Sequence, residues 1–281
     1  MRYFDLHCDT ASVCYKNKIF PDDTSLAVSA ANVAGFEEWY QCFAVFIPDN
    51  CTEPKTEYVA QINDFKGKLE KFNSVNPIFT LENALPIESL DFIDVLADDG
   101  IRAVTLTWNG ENNIAGGAYT DTGLKPYGKE VIGKLNSKRI AVDLSHLNRK
   151  SFFEVAESAE IIFASHSCCD KTHRHKRNLT DEQLKVIKDR NGVVGICFYP
   201  EFLGTKYAFE GVWRHINHLL NIGLEENISI GSDFDGADMS NELDGVDKIP
   251  DLYSFLFERG LDNRLLNKIF FKNAYDFFKK F

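Results

Sequence analysis

A chain of 281 residues with 42 acidic and 31 basic side chains, and so a net charge of −11, lacks the cationic excess that binding to nucleic-acid phosphates or anionic lipid requires. Its hydrophobic share of 44% is enough for a sizeable core, and the length suits one large α/β domain or two smaller ones. No apolar run is long enough to cross a bilayer, no signal peptide is expected before the first strand, and seven cysteines without a Cys-x-x-Cys pair read as reduced thiols of a cytoplasmic protein.

Short β-branched runs alternate with amphipathic segments. Strands are expected at Tyr3–His7, Cys42–Ile47, Pro77–Glu82, Ile101–Thr107, Arg139–Ser145, Ile161–His166, Val193–Phe198 and Ile228–Asp233. Helices are expected at Glu57–Phe72, Gly128–Ser137, Arg149–Ser158, Asp181–Arg190 and Gly211–Asn221, where apolar residues recur at three and four. Thr180 and Gln183 have the spacing of a capping box. Two helical segments follow the last strand, Leu252–Glu258 and Asn263–Phe278, the second expected to dock across the outside.

Eight buried strands, each followed by helix, is the count of a (β/α)8 TIM-type barrel, here a single α/β domain over residues 1–281. An open doubly wound sheet is the alternative, but Asp9-Thr10-Ala11-Ser12 is not the Gly-rich turn that fold favours. The Asn- and Gly-rich stretch 107–126 is expected as a loop over the barrel mouth.

In such barrels the active site lies at the C-terminal ends of the strands. Those ends carry His7 and Asp9, Glu82, Asp143 to His146, His166, and Asp233 to Asp235. If residues 3–9 are regularly extended, Asp5, His7 and Asp9 share one face. Imidazoles and carboxylates converging on one rim suit first-row metals, and the inventory exceeds the three protein ligands of one catalytic zinc. His7, Asp9 and Glu82 are assigned to one ion, and Glu82, His146 and His166 to a second. No Lys stands at a strand tip to act as a carbamylated bridge, so the bridge falls to Glu82 with a water or hydroxide.

With these residues placed, the chain resembles the renal (membrane) dipeptidase family of zinc peptidases. The resemblance rests on Asp5-Leu6-His7-Cys8-Asp9, on Glu82, on Val142 to His146, on Ala164 to Ser167, on Lys176-Arg177-Asn178, and on Gly231-Ser232-Asp233-Phe234-Asp235-Gly236, in that order. It implies a dipeptide substrate, two Zn²⁺ ions, Arg177 as the clamp on the substrate carboxylate, Asp233 as the proton-transfer group, and a homodimer. One departure stands out: Trp108, in Thr107-Trp108-Asn109, occupies the place of a substrate-contacting His. Trp offers one N–H and no proton chemistry, so help to the oxyanion is expected from the metal, Asn109 or Asn112.

Other readings stay open. A lactonase, deaminase or phosphoesterase could use the same metals, and a non-catalytic relative could keep the site for binding alone. Arg177 could be a solvated loop cation beside His173, Arg174, His175 and Lys176. His173 and His175 are expected in solvent, and His215 and His218 in the outer helical ring or at the surface. Phe198 and Tyr199 are expected mainly to pack, and the roles of Asp5, Asp143 and Asp235 are undecided.

Overall fold

The computed structural model describes residues 1–32, 35–69, 72 and 74–281. Its strands are β1 (Arg2–Cys8), β2 (Glu38–Phe46), β3 (Asn76–Glu82), β4 (Ile101–Thr105), β5 (Ala141–Asp143), β6 (Ile162–Ser167), β7 (Val194–Ile196) and β8 (Ile228–Ile230). They close in sequence order into a parallel barrel, with Asp5 of β1 paired to Ile230 of β8. The (β/α)8 expectation holds.

Helices α1 (Thr10–Asn17), α2 (Pro54–Leu69), α3 (Phe92–Asp98), α4 (Pro126–Ser137), α5 (Arg149–Ser158), α6 (Asp181–Asp189), α7 (Pro200–Leu203) and α8 (Ala208–Asn221) cover the sheet, followed by α9 (Ile249–Glu258), α10 (Asn263–Asn267) and α11 (Asn273–Phe278). Thr180 and Gln183 form the expected capping box on α6. The helix expected to reach Phe72 is seen to Leu69, and residues 70 and 71 lie outside the described residues. Sequence periodicity missed α1 and α3, which are only 8 and 7 residues long. Too few turns repeat for a stripe to show.

β5, β7 and β8 are shorter than expected. Three residues beyond β5 and β8, His146 and Asp233 take left-handed backbone (φ 66° each), which ends the extended run and aims both side chains. The C-terminal segment Asn263–Phe278 also departs from expectation. A π-helical turn at Lys268–Lys272 separates α10 from α11, and the segment plugs the N-terminal end of the barrel instead of lying across its outside. Phe271, Phe277 and Phe278 join Phe4, Cys42, Ala103, Ala141 and Phe163 in one apolar cluster. Cys42, Ala103 and Ala141 are small at that end, and the phenyl rings fill the space, Phe278 stacking on Phe4 at 5.5 Å.

Candidate active site

β1 does not present Asp5, His7 and Asp9 on one face. Its pairing with β2 slips between Asp5 and Cys8, a bulge that adds one residue and reverses the alternation. Asp5 therefore stays with Tyr3, whose hydroxyl donates to it at 3.1 Å. His7 turns to the mouth, where its Nε2 lies 3.3 Å from Asp9 Oδ2, 3.5 Å from Glu82 Oε2 and 3.7 Å from Asp233 Oδ1. β6 carries a similar slip between Ala164 and Ser167, around His166. His146 Nε2 lies 2.9 Å from Glu82 Oε1 and 2.8 Å from His166 Nε2.

Two of the clusters able to hold an ion are His7 with Asp9 and Glu82, and Glu82 with His146 and His166. A third, His7 with His166 and Asp233, overlaps both. Burial lowers His146 to about 4 and His166 well below the ordinary histidine value, with Arg177 adding to the effect in each. Both rings are therefore neutral at pH 7 and have a lone pair to give. Burial would lower His7 too, but the Glu82 and Asp9 carboxylates outweigh it and hold His7 well above its usual range. Burial would raise Glu82, yet His7 and His146 keep it well below the usual carboxylate range. Burial raises Asp9 to about 6, with Glu82 contributing, and raises Asp233 to about 7.

The donor set is that of a first-row metal site, three buried imidazoles and two buried carboxylates with the half-buried Asp233 beside them. Asp9 Oδ1 and Arg177 Nη1 are buried there without hydrogen-bond partners among the described residues, as expected where an ion and an anionic ligand complete the coordination. The residues fit zinc.

A cavity of about 830 Å³ opens over this floor, lined among others by Trp108, Asn109, Tyr119, His175, Arg177, Tyr199 and Asp233. The loop after β4 thus covers the mouth as expected. Arg177 is no solvated loop cation: it is 4% exposed, with Nη2 2.8 Å from His166 Nε2 and Nε 3.1 Å from His146 Nδ1. Asn109 Oδ1 lies 3.1 Å from His146 Nδ1, and the Trp108 ring stacks edge-on to Phe46. Asn112 is committed elsewhere, its side chain bonding Leu106 O and the Ile114 N–H.

His175 corrects the solvent expectation: half-buried on the cavity wall, its Nδ1 accepts the Arg177 N–H at 3.1 Å. His173 is half-buried as well. His215 is buried and accepts the Cys169 N–H, whereas His218 pairs with Asp181 at 2.7 Å. Phe198 packs on Phe234, but Tyr199 lines the cavity. Asp235 ties segments together, accepting Thr10 Oγ1 at 2.6 Å and the Ala27 N–H at 2.7 Å. Tyr119, Glu201 and Asp238 also reach the cavity, and no spacing in the sequence marks them.

The fold and this floor define a metal-dependent hydrolase on a (β/α)8 barrel. The chain belongs to the membrane dipeptidase family, peptidase family M19, whose model matches residues 50–280, and with it to the metallo-dipeptidases. It is 34% identical over 223 residues to an uncharacterized dipeptidase of Schizosaccharomyces pombe, covering 74% of this chain and 54% of that one. A Klebsiella pneumoniae protein encoded in a pqqA 5′ region is 33% identical over 189 residues, 62% of this chain and 70% of its own. Among solved structures, the metallopeptidase dipeptidase AC superposes with a TM-score of 0.90 at 24% identity, over 99% of this chain and 98% of its own. A Rhodobacter sphaeroides metallopeptidase, liganded with a phosphinate mimic of L-Ala-D-Ala, gives 0.89 at 22% identity over 99% of both chains. No helix among the described residues is long and apolar enough to cross a membrane.

Proposed function

We propose that residues 1–281 act as one binuclear zinc dipeptidase that hydrolyses free dipeptides and accepts a D-residue at the C-terminal position. The observation that carries this reading is Glu82, whose two oxygens face different histidines and which belongs to two of the ligand clusters. His7, Asp9 and Glu82 would hold one ion, and Glu82, His146 and His166 the other. Such ions supply a nucleophilic water at neutral pH and polarise the scissile carbonyl.

The remaining work falls to the chain. Asn109, 3.1 Å from His146 Nδ1, would help orient that ring. Asp233, held at about 7, would take a proton from the attacking water on its carboxylate and return it to the leaving amine. Arg177 would clamp the substrate carboxylate, since its buried guanidinium has no carboxylate partner among the described residues and an unused Nη1. Trp108 forms cavity wall where the family resemblance implies a His. The D-residue is supported by the dipeptide mimic bound to the Rhodobacter sphaeroides relative. The seven free thiols support a cytoplasmic setting, and the resemblance supports a homodimer.

The test is hydrolysis by the zinc-loaded protein, with and without chelator, of L-Ala-L-Ala, L-Ala-D-Ala, an N-acetylated dipeptide, a tripeptide and a simple lactone. Chelator-sensitive cleavage confined to free dipeptides supports the proposal. Cleavage of the lactone or the acetylated substrate instead overturns the substrate assignment.

A further inference from the structure

Two buried aspartates on opposite sides of the barrel, Asp5 on β1 and Asp143 on β5, make the same set of hydrogen bonds. Each Oδ1 accepts two backbone N–H groups. For Asp5 these come from His7 (3.2 Å) and Ser232 (2.9 Å), for Asp143 from Ser145 (3.0 Å) and Ser165 (2.9 Å). Each Oδ2 accepts the hydroxyl of the cross-strand serine, Ser232 at 2.6 Å and Ser165 at 2.5 Å. A second hydroxyl completes each set, Tyr3 on Asp5 and Thr105 on Asp143.

Their placement is functional. The residue after each serine is a site residue, Asp233 or His166, and each aspartate's own strand leads into His7 or His146. His7 and Ser165 also lie within the two slips of the ladder, where a bulge leaves backbone groups unpaired. The aspartates take up the N–H groups of these two residues.

On β6 the chain of bonds goes one atom further. Ser165 Oγ lies 2.7 Å from His166 Nδ1. The serine has a single proton, which it gives to Asp143, so only its lone pairs remain for the ring. Nδ1 then carries the hydrogen and Nε2 the lone pair. Arg177 Nη2, which can only donate, sits 2.8 Å from that Nε2 and requires the same tautomer.

We propose that Asp143 and Ser165 are positioning residues that hold His166 with Nε2 free to bind a metal, and that Asp5 and Ser232 place His7 and Asp233 by an equivalent clamp. The proposal deepens the metal-site reading and rests on it.

The experiment compares wild type with Ser165→Ala, Ser232→Ala and a control, Ser229→Ala, a buried strand serine whose hydroxyl has no hydrogen-bond partner among the described residues. Zinc affinity is read by competition with a chromophoric chelator, and the tautomer of His166 by imidazole ¹⁵N shifts in the metal-free wild type. Ser165→Ala and Ser232→Ala are expected to weaken zinc binding about tenfold or more, while the control stays within about twofold. His166 is expected as the Nδ1–H tautomer. Wild-type zinc affinity in both clamp variants, or a wild-type His166 protonated on Nε2, overturns the proposal. The tautomer reading needs no variant and no metal, so it decides the His166 clamp even if Ser165→Ala fails to fold. A wild type that binds no zinc yet keeps the Nδ1–H tautomer upholds that clamp and defeats the metal-site reading.

Discussion

Glu82 Oε1 lies 2.9 Å from His146 Nε2, while its other oxygen faces His7 at 3.5 Å, so one carboxylate from β3 joins the two sides of the barrel mouth. Replacing it by an amide removes a charge that both ligand clusters share. Glu82→Gln is expected to lose at least one of the two proposed zinc ions and to lower kcat/KM by about 100-fold or more. Metal content by atomic emission and dipeptide kinetics check this. Two ions per chain with wild-type turnover would contradict the shared ligand.

Zinc binding should release protons. In the metal-free site, burial lowers His7 but Glu82 and Asp9 outweigh it, so the ring is protonated at pH 7 and must lose that proton to become a ligand. Asp9, raised to about 6, and Asp233, raised to about 7, add to the release below neutrality. Apparent affinity is therefore expected to rise with pH across roughly 6 to 8, about tenfold per unit for each proton displaced. Calorimetry in two buffers of different ionisation enthalpy measures the count. Equal heats in both would refute proton release.

Arg177→Ala is expected to raise KM for free dipeptides about tenfold while kcat changes less, because the proposed contact would hold the substrate carboxylate rather than the reacting bond. A rise below about threefold, ~0.65 kcal/mol, would sink the clamp. Arg177→Lys should not restore KM, since an ammonium cannot make the two-point contact of a guanidinium.

His215, away from the metal floor, predicts an acid instability. Burial holds its neutral ring at about 4, where Nδ1 accepts the Cys169 N–H at 3.0 Å. The unfolded chain takes up the proton at about 6.5, so between about 6.5 and 4 the unfolded state binds more protons and stability falls as pH drops. From pH 7.5 to 5 the loss from this one residue is about 2 kcal/mol. Urea unfolding of wild type and His215→Gln at both pH values checks it. The variant should lose less stability on acidification, and equal losses would show that His215 contributes nothing.

The strand count, the order of the strands and the imidazoles and carboxylates at their ends were legible along the chain. Each is a local pattern: an apolar run five to seven residues long, then His7, Glu82 or His166. Backbone sterics and side-chain periodicity act over such distances, so neighbouring residues carry the signal. Tertiary structure alone decided which way these side chains face. The slip in β1 that separates His7 from Asp5 depends on pairing with β2, and the Asp5 clamp on Ser232 joins residues 227 apart. Arg177 could still be read as a solvated cation beside His173, Arg174, His175 and Lys176 until the barrel buried it against His146 and His166. The C-terminal phenylalanines likewise gave no hint that their partners were Phe4 and Phe163. Desolvation and cross-strand hydrogen bonds exist only once distant segments meet, so no local pattern can encode them.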